Sequence, residues 1–475
     1  MAAELITLAR GDIRGGFGRA RSRLHGLLFE GASAQHMAFT AFVIRMISAA
    51  IMFVSQTLLA RWMGGHEFGN YVYVLTWLTL LADVLHLGVP LTAQRFIPQY
   101  RETGAFALLR GYLSASRRMT FAAAIAAALI GAALVYLLGE AIENDLVLPF
   151  YFACIALPFY SLNFMLDGIA RSYNWVRLAL VPAYILRPVL LIAAVVWART
   201  AGLKLDATLV CGLVALAAWL SAFAQLLQLN RSLGAVVPAG DKVFVPQIWL
   251  KAALPILVVW SLYTLLTTTD VIVLKQFRPA EEVAHYYAAS KTLALVGIIY
   301  FAVGAASAHR FTTFHVIGDR AGLADFATRM VRITFWPSLA LTALLLACGQ
   351  WVLTLFGPGF ADAYPFMAVL AIGQLARASI GPAERLLNMT GEQRICAVAY
   401  GIAFAVNLGG CFALAPRFGG IGAAAATAAA FVTESALLAV IARYKLGLSL
   451  FVWRGSARKP RTDGITHAST SKSEL

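Results

Sequence analysis

Two stretches decide the fold of this chain: Leu59-Ala-Arg-Trp-Met-Gly-Gly-His-Glu-Phe-Gly-Asn-Tyr71 and Leu274-Lys-Gln-Phe-Arg-Pro-Ala-Glu-Glu-Val-Ala-His-Tyr286. Each joins two apolar runs, and they lie 215 residues apart. Leu59 falls on Leu274, Glu67 on Glu282 and Tyr71 on Tyr286. At the same offset, without a gap, Arg95 falls on Arg310, Phe96 on Phe311 and Arg117 on Arg332. Chance likeness between two apolar stretches is a poor account of matched arginines and a matched glutamate, which are not compositional filler.

Around these stretches, twelve apolar segments follow one another: 38–60, 71–91, 119–139, 146–166, 178–198, 207–229, 253–274, 286–308, 333–356, 364–381, 395–414 and 420–441. Each is near the ~20 residues that cross a ~30 Å hydrocarbon core as a helix. The first segment corresponds to the seventh and the second to the eighth. Six helices separate the copies, an even number, so both halves have the same topology. This is a parallel repeat about an axis along the membrane normal, as in many transporters. The expected fold is therefore an all-α polytopic membrane protein of about 12 transmembrane helices, in two six-helix lobes related by a parallel internal repeat. The lobes span 37–230 and 253–442, with a linker at 231–252, a basic N-terminal segment at 1–36 and a basic, then Ser/Thr-rich, disordered tail at 443–475.

Composition agrees. Of 475 residues, 60% are hydrophobic and 13% charged, with a mean hydropathy of +0.75. Soluble domains run at about 45–50% apolar and about 25% charged, so a cytoplasmic enzyme, a disordered chain and a disulfide scaffold are all excluded. The five cysteines, Cys154, Cys211, Cys348, Cys396 and Cys411, sit in apolar runs without a CxxC pair or metal-ligand spacing, which makes them packing residues. The net charge of +15 does not imply nucleic acid, because the basic residues occupy short connectors beside apolar segments. With the N-terminus inside, 28 of the 38 lysines and arginines are cytoplasmic and six are external. That asymmetry orients the chain with both ends in the cytoplasm. No apolar signal core follows the arginines of 1–36.

The connectors, at most some two dozen residues, have no room for a folded domain of 50 residues or more. Any function then resides among the helices. A polysaccharide polymerase or ligase would need a sizeable outer loop to hold two sugar chains, and a structural scaffold would need neither a repeat nor charges at mid-membrane.

Those charges are costly, roughly 2.5–3.5 kcal/mol each at the bilayer centre. The cations are Arg45, Arg187, Lys291 and Arg377, and the acids Asp83, Asp270 and Glu434. Arg45, Lys291 and Arg377 lie near enough to the ends of their segments to snorkel. Arg187 is mid-segment and followed by Pro188, an expected kink. Four cations against three acids leave a positive charge without an intramembrane partner, unless pairs such as Arg187 with Asp83 are permanent. A diphosphate passing through the lumen would supply a transient partner, because arginine presents a planar donor fork to phosphate oxygens. The acids are candidates for coupling to a proton or sodium gradient, with a structural partnership to arginine as the alternative for Glu434. No catalytic residue, metal site or cofactor is expected.

The run Leu58–Tyr71, with Leu87-Gly-Val-Pro and Arg95-Phe-Ile-Pro98, resembles the opening of the bacterial polysaccharide-transport flippases. In the second half Leu355-Phe-Gly-Pro-Gly-Phe360, Ala376-Arg-Ala-Ser-Ile-Gly-Pro382, Leu387-Asn-Met-Thr-Gly391, Asn407 and Gly419-Gly-Ile-Gly-Ala-Ala-Ala425 fit the same pattern. That family shares a superfamily with the multidrug and toxin extrusion exporters and the lipid II flippases. The resemblance implies that an undecaprenyl-diphosphate-linked oligosaccharide is flipped across the bacterial inner membrane by alternating access between two lobes, for lipopolysaccharide, capsule or exopolysaccharide biosynthesis. Membrane lipids and other polysaccharide assembly proteins are the implied partners, and the internal repeat makes a monomer sufficient. The exporters generally carry an acid in their first helix, whereas this first segment carries Arg45. Lipid II flippases usually add two C-terminal helices that are not found here.

Overall fold

The computed structural model describes residues 40–139 and 143–453, so the expectations for 1–36 and for the tail past 453 lie outside the described residues. Among the described residues the chain is helical without a strand, as hydrocarbon demands, because there a backbone must satisfy its own hydrogen bonds. The first half comprises α1 (Thr40–Met63), α2 (Gly65–Leu85), α3 (Val89–Glu102), α4 (Phe106–Leu137), α5 (Asn144–Ser172), α6 (Val176–Val181), α7 (Arg187–Thr200) and α8 (Ala207–Val236). The second comprises α9 (Pro246–Leu266), α10 (Thr269–Phe277), α11 (Ala280–Ile317), α12 (Arg320–Ala347), α13 (Gly349–Thr354), α14 (Tyr364–Ser379), α15 (Ala383–Met389) and α16 (Gln393–Leu446). In the first lobe α5 is central, packed against α2, α3, α4 and α8; in the second, α16 holds α9, α10 and α14. All five cysteines are free.

Among the described residues, ten helical stretches are long and apolar enough to cross a membrane, or eleven if the bent pair Phe360–Ser379 and Ala383–Met389 is one span. Two expected segments, 395–414 and 420–441, fall within the single run α16. At about 1.5 Å per residue, its 54 residues would stretch about 81 Å if straight. They do not run straight, because Gly419 adopts φ 58° and ψ −136° and bends the run. Its two arms lie side by side: Asn407 Nδ2 is 3.5 Å from Thr427 Oγ1, and a Cβ on Gly410 would touch Ala426. The Gly/Ala stripe after the bend is buried at Gly420, Gly422, Ala423, Ala424 and Ala426, where small side chains let helices approach closely.

The connectors differ from expectation as well. Residues expected to be inner loops are helical: α11 alone runs 38 residues. Hydropathy marks where apolar residues stop, whereas the helix goes on as long as its backbone bonds continue. Segment seven is broken, with α9 ending at Leu266 and α10 starting at Thr269. The kink expected at Pro188 is a π-helical turn at Pro182–Leu186, just ahead of Arg187.

The repeat has a structural counterpart. Glu67, at the start of α2, accepts a hydrogen bond from the Ala207 N–H that opens α8, at 2.9 Å. Glu282, at the start of α11, accepts one from the Gly420 N–H that opens the second arm of α16, at 2.7 Å. In each half a carboxylate thus satisfies a free N–H, and opposes the positive pole, at the start of the last helix.

The lobes meet along α2 and α11. Gly69 lies against the Ala280 carbonyl with no room for a Cβ, and the Phe68 ring packs edge-on to Tyr287 at 6.1 Å. Near this contact Lys275 Nζ donates to both carboxylate oxygens of Glu143 at 2.7 Å, and Gln276 donates to Tyr73 at 2.9 Å. Helix α9 touches both lobes. Near its start Trp249 is buried edge-on to Tyr112 at 5.2 Å and donates to Tyr100 at 3.0 Å; at its end the Leu266 carbonyl accepts from Asn407 at 2.9 Å. The stretch before it lies along α4, where Arg110 donates to the carbonyls of Asp241 and Pro238 at 2.8 and 2.9 Å.

The bend at Gly419 sets a test. A Cβ there would collide with the Glu282 carboxylate and hold a non-glycine residue in a strained conformation, at a cost of about 1–3 kcal/mol. Gly419→Ala is expected to lower the melting temperature of the detergent-solubilised protein, and an unchanged melting curve would count against the bend.

Candidate functional site

Two cavities lie between the lobes. The smaller, of about 200 Å³, is bordered by Gln56, Tyr71, Tyr160, Arg187 and Lys291. The larger, of about 620 Å³, is bordered by Arg45, Asp83, Asp270, Lys291 and Arg377 among others. Of the seven charged residues singled out from the sequence, six therefore line these cavities, and Lys291 lines both. The seventh, Glu434, is buried behind the wall in an ion pair with Arg377, at 3.4 Å.

The four cations are not held alike. Arg187 lies over the Tyr160 ring, 4.1 Å from its centroid, at the end of the π-helical turn. Such turns take one extra residue into the helix and are frequent at functional sites. Arg45 sits between two rings, Phe301 at 4.6 Å and Tyr184 at 4.9 Å. Lys291 lies over Tyr287 at 4.8 Å. None of these three is in an ion pair among the described residues, and Arg187 is not paired with Asp83. Arg377 alone has an acid, and it is also surrounded by Phe431, Tyr300 and Tyr263 at 4.7, 5.5 and 5.7 Å. The structural partnership weighed for Glu434 is the arrangement observed.

The two remaining acids are met by neutral donors. Asp83 accepts from the Thr264 hydroxyl at 3.3 Å. Asp270 lies in the first turn of α10, just past the break in segment seven, and is 3% exposed. It accepts from the Tyr286 hydroxyl at 2.6 Å, the Thr427 hydroxyl at 3.1 Å and the Val271 N–H at 2.9 Å. A carboxylate at a helix start also meets the positive end of the helix dipole. No group of three His, Cys, Asp or Glu suited to a metal ion occurs among the described residues.

Reading the sequence for charge misses the neutral half of this site. Tyr286 and Thr427, which hold Asp270, and the rings of Tyr160, Tyr184, Phe301 and Tyr287, which hold the cations, carry no formal charge. Tyr286 left one trace, as the repeat partner of Tyr71. The hydroxyl run Thr267-Thr-Thr269 left another at the break. There Thr268 and Thr269 return their hydroxyls to the carbonyls of Thr264 and Leu265, both at 2.7 Å.

Two helical lobes thus enclose a charged, aromatic-walled space between them. The model of the polysaccharide biosynthesis protein family matches residues 37–309, more than half of the chain, and the chain belongs to that family. The MatE family model matches residues 255–413, within the second half. No curated protein matches the sequence. Solved structures share the fold. The lipid II flippase MurJ in an inward closed conformation is 13% identical, with a TM-score of 0.70 over 85% of this chain and 87% of that one. An inward-facing multidrug resistance MATE family transporter of the MOP superfamily is 14% identical, with a TM-score of 0.67 over 86% and 98%. A Vibrio cholerae MATE transporter is 12% identical, with a TM-score of 0.60 over 87% and 98%. The chain is thus a multi-pass membrane protein of the polysaccharide biosynthesis protein family.

The Arg377–Glu434 pair sets a test of what it contributes. Removing one partner leaves a buried charge uncompensated and costs about 3–5 kcal/mol, whereas replacing both by apolar residues is close to neutral. Arg377→Met is therefore expected to unfold the detergent-solubilised protein at a clearly lower temperature, and the Arg377→Met/Glu434→Leu double variant to recover most of that loss. If the double variant is no more stable than the single one, the pair is not what holds these side chains.

Proposed function

We propose that this protein flips an undecaprenyl-diphosphate-linked oligosaccharide from the inner to the outer leaflet of the bacterial inner membrane, by alternating access, for surface polysaccharide biosynthesis. One observation carries the reading: Arg45, Arg187 and Lys291 border the space between the lobes without a direct ion pair among the described residues. Two adjacent phosphates offer the charge and the multiple acceptors that guanidinium and ammonium groups take up. Lys291, on the wall of both cavities, is the natural contact for the diphosphate, with Arg187 on one side and Arg45 on the other. The family's description as polysaccharide biosynthesis proteins agrees with a sugar-bearing cargo. In this reading both chain ends are cytoplasmic, and the α2–α11 contact lies on the outer side, closing that exit. Asp270, buried at a helix break in the second lobe, is the proposed carrier of a coupled proton or sodium ion, with Asp83 a second candidate. The ion pair with Arg377 leaves Glu434 less suited to the task.

A second reading is favoured by the MatE match over the second half: a cation-coupled drug exporter. The cationic walls oppose it, since a positively charged drug would be repelled by three unpaired cations.

In a deletion strain of the native host, lipid-linked oligosaccharide of single-repeat size is expected to accumulate in the inner leaflet while surface polymer is lost. Arg187→Ala expressed in that strain should stay in the membrane and lower transport roughly tenfold to a hundredfold, as loss of a charge-assisted hydrogen bond of ~1.5–3 kcal/mol implies. Unchanged lipid-linked pools together with new sensitivity to cationic dyes would replace the flippase reading with the exporter; full activity of the variant would remove Arg187 from the site.

A further inference from the structure

The cations account for the diphosphate and leave most of the larger cavity unexplained. Its volume, about 620 Å³, is well beyond what a phosphate contact requires and lies in the range of pockets that enclose whole small ligands. Its wall carries many aromatic side chains; among those with no cation over the ring, Trp260, Phe164 and Tyr400, Trp260 is the most exposed. The neighbouring rings Tyr184, Phe301, Tyr263 and Tyr300 are each approached by a guanidinium, from Arg45 or Arg377. No cation lies over Trp260, and the indole is 40% exposed, beside the Tyr263 ring at 6.3 Å. It is a broad apolar plate at the edge of a space whose wall mixes apolar and polar side chains.

The same wall contains hydrogen-bonding groups without partners. Ser338 and Tyr400, 1% and 2% exposed, have hydroxyls with no hydrogen-bond partner among the described residues. Both line the larger cavity, as do Asp83 and Gln374. Unpaired polar groups away from water cost free energy, so several around one cavity suit an occupant rich in hydroxyls. The charge pattern excludes the other class of ligand that aromatic pockets favour. A cationic ammonium needs ring faces with their negative potential free, and here most rings are already engaged by the protein's own arginines.

We propose that the larger cavity is a glycan subsite, in which Trp260 stacks against the apolar face of a sugar ring and Asp83 accepts hydrogen bonds from its hydroxyls. The polar remainder of the wall, Gln374, Ser338 and Tyr400, takes further hydroxyls, and Lys291 marks the end at which the sugar joins the diphosphate. The subsite rests on the lipid-linked oligosaccharide reading and adds to it the discrimination between a glycosylated lipid and the bare lipid diphosphate. In that division of labour the cations hold what every such lipid shares, and the indole and its neighbours read the sugar.

The test uses the full chain in detergent, native mass spectrometry, and two probes: undecaprenyl diphosphate, and the pool of lipid-linked oligosaccharides extracted from membranes of the source cell. The wild-type protein is expected to retain glycosylated lipid in preference to the bare lipid. Trp260→Ala should reduce that preference about tenfold, equivalent to about 1.4 kcal/mol, while binding of undecaprenyl diphosphate stays as in wild type. Trp260→Phe, which keeps an aromatic face, should restore most of the preference, and Asp83→Asn should weaken it. Lys291→Ala should weaken both probes together. An undiminished preference in Trp260→Ala, or an equal loss of both probes in that variant, would overturn the subsite while leaving the flippase reading in place. Retention of neither lipid by the wild-type protein would overturn that reading and the subsite with it.

Discussion

A backbone in hydrocarbon has nothing to bond with except itself, and this constraint arranges everything else in the molecule. It makes every described span a helix, and it makes every interruption of a helix an event that side chains must repair. The interruptions are few and specific. At Thr267–Thr268 hydroxyls return to carbonyls one turn back, and Asn407 reaches across from α16 to the carbonyl of Leu266. At Pro182–Leu186 an extra residue enters the turn. At Gly419 only glycine can make the bend, and Glu282 takes the N–H that the bend sets free. Two of these three places deliver a charged residue to the space between the lobes: Asp270 after the first and Arg187 after the second.

The repeat has diverged at the residues that face this space. Both halves keep the glutamate that closes off their last helix, because that bond is part of making a lobe. Tyr71 and Tyr286 are both fully buried, yet Tyr286 donates to Asp270, while the position 215 residues before Asp270 is Ser55. The first lobe has Arg187 on the wall of the smaller cavity, and the second has a carboxylate held by hydroxyls. Each lobe nevertheless presents both signs to the common lumen: Arg45, Arg187 and Asp83 from the first, Lys291, Arg377 and Asp270 from the second.

How much of this could be read in the sequence follows the same division. The helical class, the membrane and the two halves were legible because they depend on averages over some twenty residues and on an ungapped match at Glu67, Arg95 and Arg117. Seven charged residues at the cavities or behind their walls, Glu434 among them, could be picked out because a charge in an apolar run has no other excuse; Glu384 and Arg385, which also border the larger cavity, could not, because they lie in a connector between apolar segments. The break in segment seven was not legible: three threonines are apolar enough to keep a hydropathy window high, and only their hydroxyls, folded back on the helix, mark the place. Nor were the helical connectors, since an amphipathic or polar helix outside the bilayer has no apolar signature. The aromatic partners of the cations stayed hidden because Tyr160, Tyr184 and Phe301 look like filling in a chain that is 12% aromatic. Only the three-dimensional meeting of distant helices gives them a task.

That the unpaired cations rest against rings has a consequence for turnover. Leaving a ring face costs about 0.5–2 kcal/mol, while leaving a buried carboxylate costs several times more. A carrier must grip its cargo and then let go, and side chains tied to acids would have to surrender those bonds on loading and find them again on release. In the proposed function, Tyr160, Tyr184, Phe301 and Tyr287 serve instead as inexpensive resting places. They keep each charge desolvated enough to be attractive and return it to a known position when the cargo departs, so that neither the loaded nor the empty state becomes a trap.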